Sequence, residues 1–182
     1  MSIYQDEIFN YLTKRDNFMP AYDIYQMFPN VKNTLIRQFW PIVKSTLQEL
    51  ISEPDWKIDL AEDISIRYSK LSVSINDSFY VVFEGLDKQP FFGLLIDFDN
   101  NTLDRPRINE HAKNIQAIQG MKKSDWYLGY TLTGENFDNI ETLKRILPEN
   151  REVLAKEFAT LLFELAYAIK EDAFKMDKMK KP

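Results

Sequence analysis

Residues 71–99, LSVSINDSFYVVFEGLDKQPFFGLLIDFD, constrain the fold more than any other stretch. No other part of the chain is so dense in β-branched and aromatic residues, and turn-forming residues break the run twice. It therefore reads as three strands joined by two tight connections. Leu71, Val73 and Ile75 alternate, and Asn76-Asp77-Ser78 marks a turn. Phe79 to Phe83 is apolar on both faces, which predicts a central strand covered on both sides. Gly85 to Pro90 is a longer turn. Phe92, Leu94, Ile96 and Phe98 then alternate, and Gly93 among them predicts close approach of another backbone. Short connections make neighbouring strands antiparallel.

Trp56 to Leu60 alternates upstream and reads as a further strand. Ile64, Ile66 and Tyr68 continue on even positions, so the parity switch near Ser69-Lys70 implies a bulge or a break. Trp126 to Leu132 reads as an added strand. The remainder is helical. Ser2 and Gln5 form a capping box before a first helix ending near Thr13. A second helix covers Ala21 to Met27 and is ended by Pro29-Asn30. A third covers Val31 to Ser52, with Pro41 kinking or splitting it near Trp40. Ile108, Ala112, Ile115 and Ile118 mark a helix ended by Gly120, and Ile140 to Leu147 a short one. Val153, Leu154, Phe158, Leu161, Leu162, Leu165, Ala168 and Ile169 form the broad stripe of a long last helix. The expected fold is α+β. An antiparallel sheet of four to five strands, about 56–99 plus 126–132, is covered by an N-terminal three-helix segment and a long C-terminal helix. The expected organisation is a helical segment 1–52, an α+β domain 53–174 and a disordered tail 175–182.

The 182 residues contain no cysteine, which removes disulfides, thiolate nucleophiles and Cys-based metal sites. No segment approaches ~18 uncharged apolar residues, so no membrane span is expected. Asp6 and Glu7 stand where a signal peptide would carry positive charge. Together these readings predict a cytoplasmic protein. Five glycines in the whole chain argue against phosphate-cradling loops. Net charge is −5, and it is unevenly spread. Residues 1–52 are neutral, 53–150 carry −6 and 151–182 carry +1. A broad nucleic-acid footprint is disfavoured by this balance.

The search for chemistry is mostly negative. His111 is the lone histidine and has no nucleophile motif beside it, so it reads as a surface residue. Asp97, Asp99, Asn101 and Asp104 resemble the start of a calcium loop, but Thr102 replaces the required Gly and Ile108 the required Glu. Glu84, with Asp87-Lys88 following, lacks the Asp/Glu-x-Lys of a metal-dependent nuclease on the next strand. No catalytic residue, metal site or cofactor is assigned.

Residues 56–130 carry, in order, WKI, YSKLSV, VVFEG, FFGLLIDF and KKSDWYLGY. This succession resembles the region following the catalytic core in bacterial PD-(D/E)XK nuclease-like proteins. There a tryptophan-led strand, a strand ending in Phe-Glu, an aromatic-Gly-aliphatic strand and a Trp-rich segment recur. The resemblance covers less than half of the chain, and the nuclease signature itself is missing. It implies a non-catalytic α+β module of bacterial or phage type, linked to nucleic-acid or defence systems.

The leading expectation is a non-catalytic binding or regulatory module with a protein partner, using Glu84, Asp97, Asp99, Trp126 and Tyr127. One alternative is an acidic inhibitor or immunity-type protein that covers a basic site with the −6 central region. Another is a nucleic-acid binder whose N-terminal helices form a helix-turn-helix, with Lys32, Arg37 and Lys44 on phosphates. A degenerate metal-dependent nuclease is the last. A homodimer is expected because an aromatic-rich sheet needs its edges and faces covered.

Overall fold

The computed structural model describes residues 3–97 and 102–181. The Ser2 cap, Phe98 at the strand end, Asp99 and Asn101 lie outside these residues. The chain runs α1 (Ile3–Leu12), α2 (Arg15–Leu50), β1 (Lys57–Leu60), β2 (Lys70–Ser74), β3 (Phe79–Glu84), β4 (Phe91–Ile96), α3 (Arg105–Ala112), a single 3₁₀ turn (Gln116–Ile118), β5 (Tyr127–Leu132), α4 (Ile140–Arg145) and α5 (Arg151–Asp177). The five strands form one antiparallel meander in the order β1-β2-β3-β4-β5. This is the α+β arrangement expected from the sequence. No helix among the described residues is long and apolar enough to cross a membrane.

Local chemistry sets the boundaries. The Asn76 side-chain oxygen accepts from the N–H groups of Ser78 and Phe79, both at 3.0 Å, and so closes the β2–β3 turn. Asp104 caps α3 by accepting from the Arg107 N–H, and Asn139 caps α4 by accepting from the Glu141 N–H. Gly93 does meet another backbone. A Cβ built there would overlap the Gly129 carbonyl oxygen and lie 2.8 Å from the Tyr130 Cα.

The core lies on one side of the sheet. Leu71, Val73, Phe79, Val81, Phe83, Leu94 and Leu128 meet Ile36, Phe39, Trp40, Val43 and Leu47 of α2 and the buried stripe of α5. Trp40 is at its centre. Its ring centroid lies 5.4–6.3 Å from those of Phe39, Phe83, Phe137 and Phe158. Its indole N–H donates to the Leu86 carbonyl at 2.8 Å.

Four expectations need correction. The second and third helices are one helix, α2, which passes through Pro20, Pro29 and Pro41 without a break. Each proline removes one hydrogen bond, but the carbonyl it frees can turn to water on an exposed face. The buried stripe from Ile36 to Leu47 holds the helix through Pro41. Ile64, Ile66 and Tyr68 do not extend a strand. They lie in the connection between β1 and β2, where Ile64 turns into the core and Tyr68 takes φ +69°. The tail is not loose. Met176 is fully buried, Asp177 accepts from the Ser78 hydroxyl, and Lys180 bridges to Leu103. Backbone hydrogen bonds from Asp104 to Met179 and from Lys181 to Thr102 tie it down further. Finally, β3 is central, but the helices cover only one of its faces.

Candidate functional site

Strand alternation leaves a second set of side chains on the face opposite the helices. Register places Ser72, Val82, Gly93 and Tyr130 in one row. Ser74, Tyr80, Leu95 and Tyr127 form the next, and Lys70, Glu84 and Phe91 a third. The first row is small in its first three positions, so the sheet is lowest there and its aromatic neighbours rise on either side. The result is a groove of about 840 Å³. Its lining comes from strands and their connections, and includes Asp59, Tyr68, Lys70, Tyr80, Glu84, Phe91, Asp97, Trp126, Tyr127 and Tyr130.

One irregularity builds the aromatic wall. Strict alternation would put Tyr127 and Tyr130 on opposite faces. The register between β4 and β5 shifts at Leu94/Leu95, which is the signature of a bulge. Leu128 then turns into the core while both tyrosines take the open face. Phe91, Tyr127 and Tyr130 form a triangle with centroid separations of 5.4–5.5 Å and edge-on or tilted planes.

The Tyr127 hydroxyl donates to Glu84 at 2.5 Å, a charge-assisted bond between β5 and β3 that spans β4. Burial pushes the Tyr127 phenol well above the ordinary tyrosine range, and the hydrogen bond and charge of Glu84 push it further. The Tyr80 phenol is raised by burial, then by Asp97 and Asp77. Both groups hold their protons more tightly folded than unfolded. The stability they contribute is complete below pH ~10 and is lost as pH rises from there through the folded values. In an alkaline absorbance titration two of the nine tyrosines should therefore ionise late. Tyr127→Phe should remove one of them and lower stability by about 1–2 kcal/mol, because Glu84 keeps its charge without its donor.

Of the residues expected at a site, Glu84, Asp97, Trp126 and Tyr127 all line this groove. Asp99 lies outside the described residues. Sequence reasoning missed Tyr80, Phe91 and Tyr130. Tyr80 had been assigned to a covered strand, Phe91 had been given no face, and Tyr130 needs the bulge to reach the groove. The basic trio does not gather. Lys32 is paired with Asp138, Arg37 stands 3.9 Å from Asp63, and Lys44 is half-buried. Lys32, with Lys88 also near, holds the Asp138 carboxyl below its ordinary range. With α2 continuous, there is no turn between the expected second and third helices. His111 pairs with Asp172 of α5 at 2.8 Å, away from the groove. Among the described residues no three acidic or histidine side chains gather as a metal site.

No family model matches the chain, and no curated protein or solved structure matches it either.

Proposed function

We propose that the protein is a non-catalytic binding module that takes a basic segment of a protein partner on the open face of its sheet. The observation that carries this is the make-up of the groove wall. Six aromatic rings stand beside Asp59, Glu84 and Asp97, and Lys70 is the one basic lining residue among those described. Aromatic faces attract guanidinium and ammonium groups, and nearby carboxylates add charge complementarity. A nucleic-acid phosphate would meet the wrong sign of charge. The accessory role implied by the resemblance, and the masking of a basic site, both fall within this proposal.

Tyr68 supports it independently. Its positive φ costs a side-chain-bearing residue about 1–2 kcal/mol, and such strain gathers at functional positions. The strained residue is 66% exposed, yet its ring sits on the groove. The Arg67 guanidinium already lies 4.8 Å from that ring, an internal example of the contact proposed for the partner.

Trp126 is the natural reporter, being 52% exposed at the groove while Trp40 and Trp56 are 0% and 8% exposed. Titration of a synthetic Arg/Lys-rich peptide should change its emission saturably, and more weakly at high salt. Glu84→Gln and Asp97→Asn should each weaken binding about fivefold. Tyr68→Gly should weaken binding while leaving stability unchanged or raising it by up to about 1 kcal/mol. An equal response to an acidic peptide, or none to the basic one, would overturn the proposal.

A further inference from the structure

We infer that α1 and the first half of α2 form a pairing arm for a second copy of this chain, independent of the sheet groove. Residues 4–34 are exposed at all but three positions, Asn17, Ala21 and Lys32, which are half-buried. Yet this stretch carries thirteen large apolar side chains, from Tyr4 to Val31, that are 38–73% exposed. Helical spacing arranges them. Phe18, Tyr22 and Tyr25 fall on the same face as Ile36, Phe39 and Val43, in alternating steps of four and three residues that pass through Pro29 and Lys32 between the two groups. Past Lys32, which is tied to Asp138, the face that closes the protein's own core thus turns apolar again over Phe18, Tyr22 and Tyr25, each at least half exposed.

Such an arm does not stand by itself. Isolated helices of this length are marginal in water, and interior prolines cost about 3 kcal/mol each. Pro20 and Pro29 both lie in the arm, so its helical state requires packing against something.

A second copy fits on area and on charge. The face of Tyr4, Ile8 and Tyr11 on α1 and that of Phe18, Tyr22 and Tyr25 on α2 together present on the order of 700 Å² per chain, close to the ~800 Å² per partner of a standard stable interface. A monomer's largest apolar patch is about 300–600 Å². Residues 3–34 contain four acidic and three basic groups, a net −1, so two arms do not repel. The arm therefore differs from the acidic groove. It has no charge preference for a basic partner, and a two-fold interface would bring the same apolar patch of each copy together. Two helical arms packed together form a small helix bundle with the heptad stripe at its centre.

The test is the mass of the full chain in solution. Sedimentation equilibrium at micromolar protein should give twice 21.5 kDa. Tyr22→Glu combined with Tyr25→Glu should weaken self-association at least a hundredfold. Both positions are exposed and outside the core, so near-UV circular dichroism should report an intact fold. Because the chain has no cysteine, Tyr22→Cys gives an independent readout. Mild oxidation should capture a disulfide-linked dimer, with no capture when the Cys is placed at Lys156 on α5. A monomer at every concentration up to about 100 μM, or a dimer that survives the double substitution, would overturn the inference. Either result leaves the groove titration untouched, since that experiment reads Trp126.

Discussion

Trp40→Ala should lower the unfolding free energy by about 3–5 kcal/mol, a large fraction of the stability of an ordinary domain. Two losses combine. The indole is fully buried and packs against four phenylalanine rings from α2, β3, the 133–139 connection and α5, so its removal opens a cavity where four elements meet. The second loss is polar. The Leu86 carbonyl, at a residue that is itself 0% exposed, loses the donor it has at 2.8 Å. Trp40→Phe separates the terms. It retains a ring but no N–H, and should cost about 1–3 kcal/mol. Urea unfolding followed by far-UV circular dichroism measures both variants without relying on tryptophan emission. Equal costs for the two would mean that the hydrogen bond, not the packing, dominates.

Gly93→Ala should be nearly as damaging, at about 3 kcal/mol, despite adding one methyl group. The new Cβ would meet backbone, the Gly129 carbonyl and the Tyr130 Cα, and not the movable end of a side chain. β4 and β5 would have to part. Tyr130 would be displaced from its triangle with Phe91 and Tyr127, so the groove should lose peptide binding along with stability. Gly134→Ala is the control. Its φ of +88° is unfavourable for alanine, but nothing lies within 4 Å of the added methyl, so it should cost only about 1 kcal/mol. In a thermal melt the two should differ by about 4–8 °C for a chain of this length.

How much was legible in the sequence varies by element. The strands of residues 71–96 were readable because hydrophobic alternation and turn residues agree there, and Gly93 announced its close neighbour. Glu84, Asp97, Trp126 and Tyr127 were singled out as polar or aromatic residues at strand ends, and they do line one groove. The continuity of α2 was not readable. Pro29 and Pro41 are local stop signals; at Pro41 the buried stripe from Ile36 to Leu47 overrides the signal, and at Pro29 the helix continues along an exposed stretch. Nor was the sharing of one face by Tyr127 and Tyr130, since a bulge cancels the parity on which sequence reasoning depends. The open face itself was hidden by composition. An alternation of apolar and aromatic residues in β3 looks the same whether helices or a partner cover its second side.

The core also has an order of assembly written into it. The meander joins neighbours in sequence, so its pairing needs only short loop closures. The helices that roof it come from opposite ends, α2 ahead of the sheet and α5 behind it. On a ribosome adding about 5–20 residues per second, the last turn of α5 follows β5 by about 2–9 s. Until Phe158 and Leu162 are made, 26 and 30 residues after the end of β5, Phe83 and Leu94 lack them, and only α2 shelters the growing sheet. The nascent chain passes through a half-roofed state whose lifetime is set by translation, and the speed with which codons 133–177 are read becomes a determinant of yield.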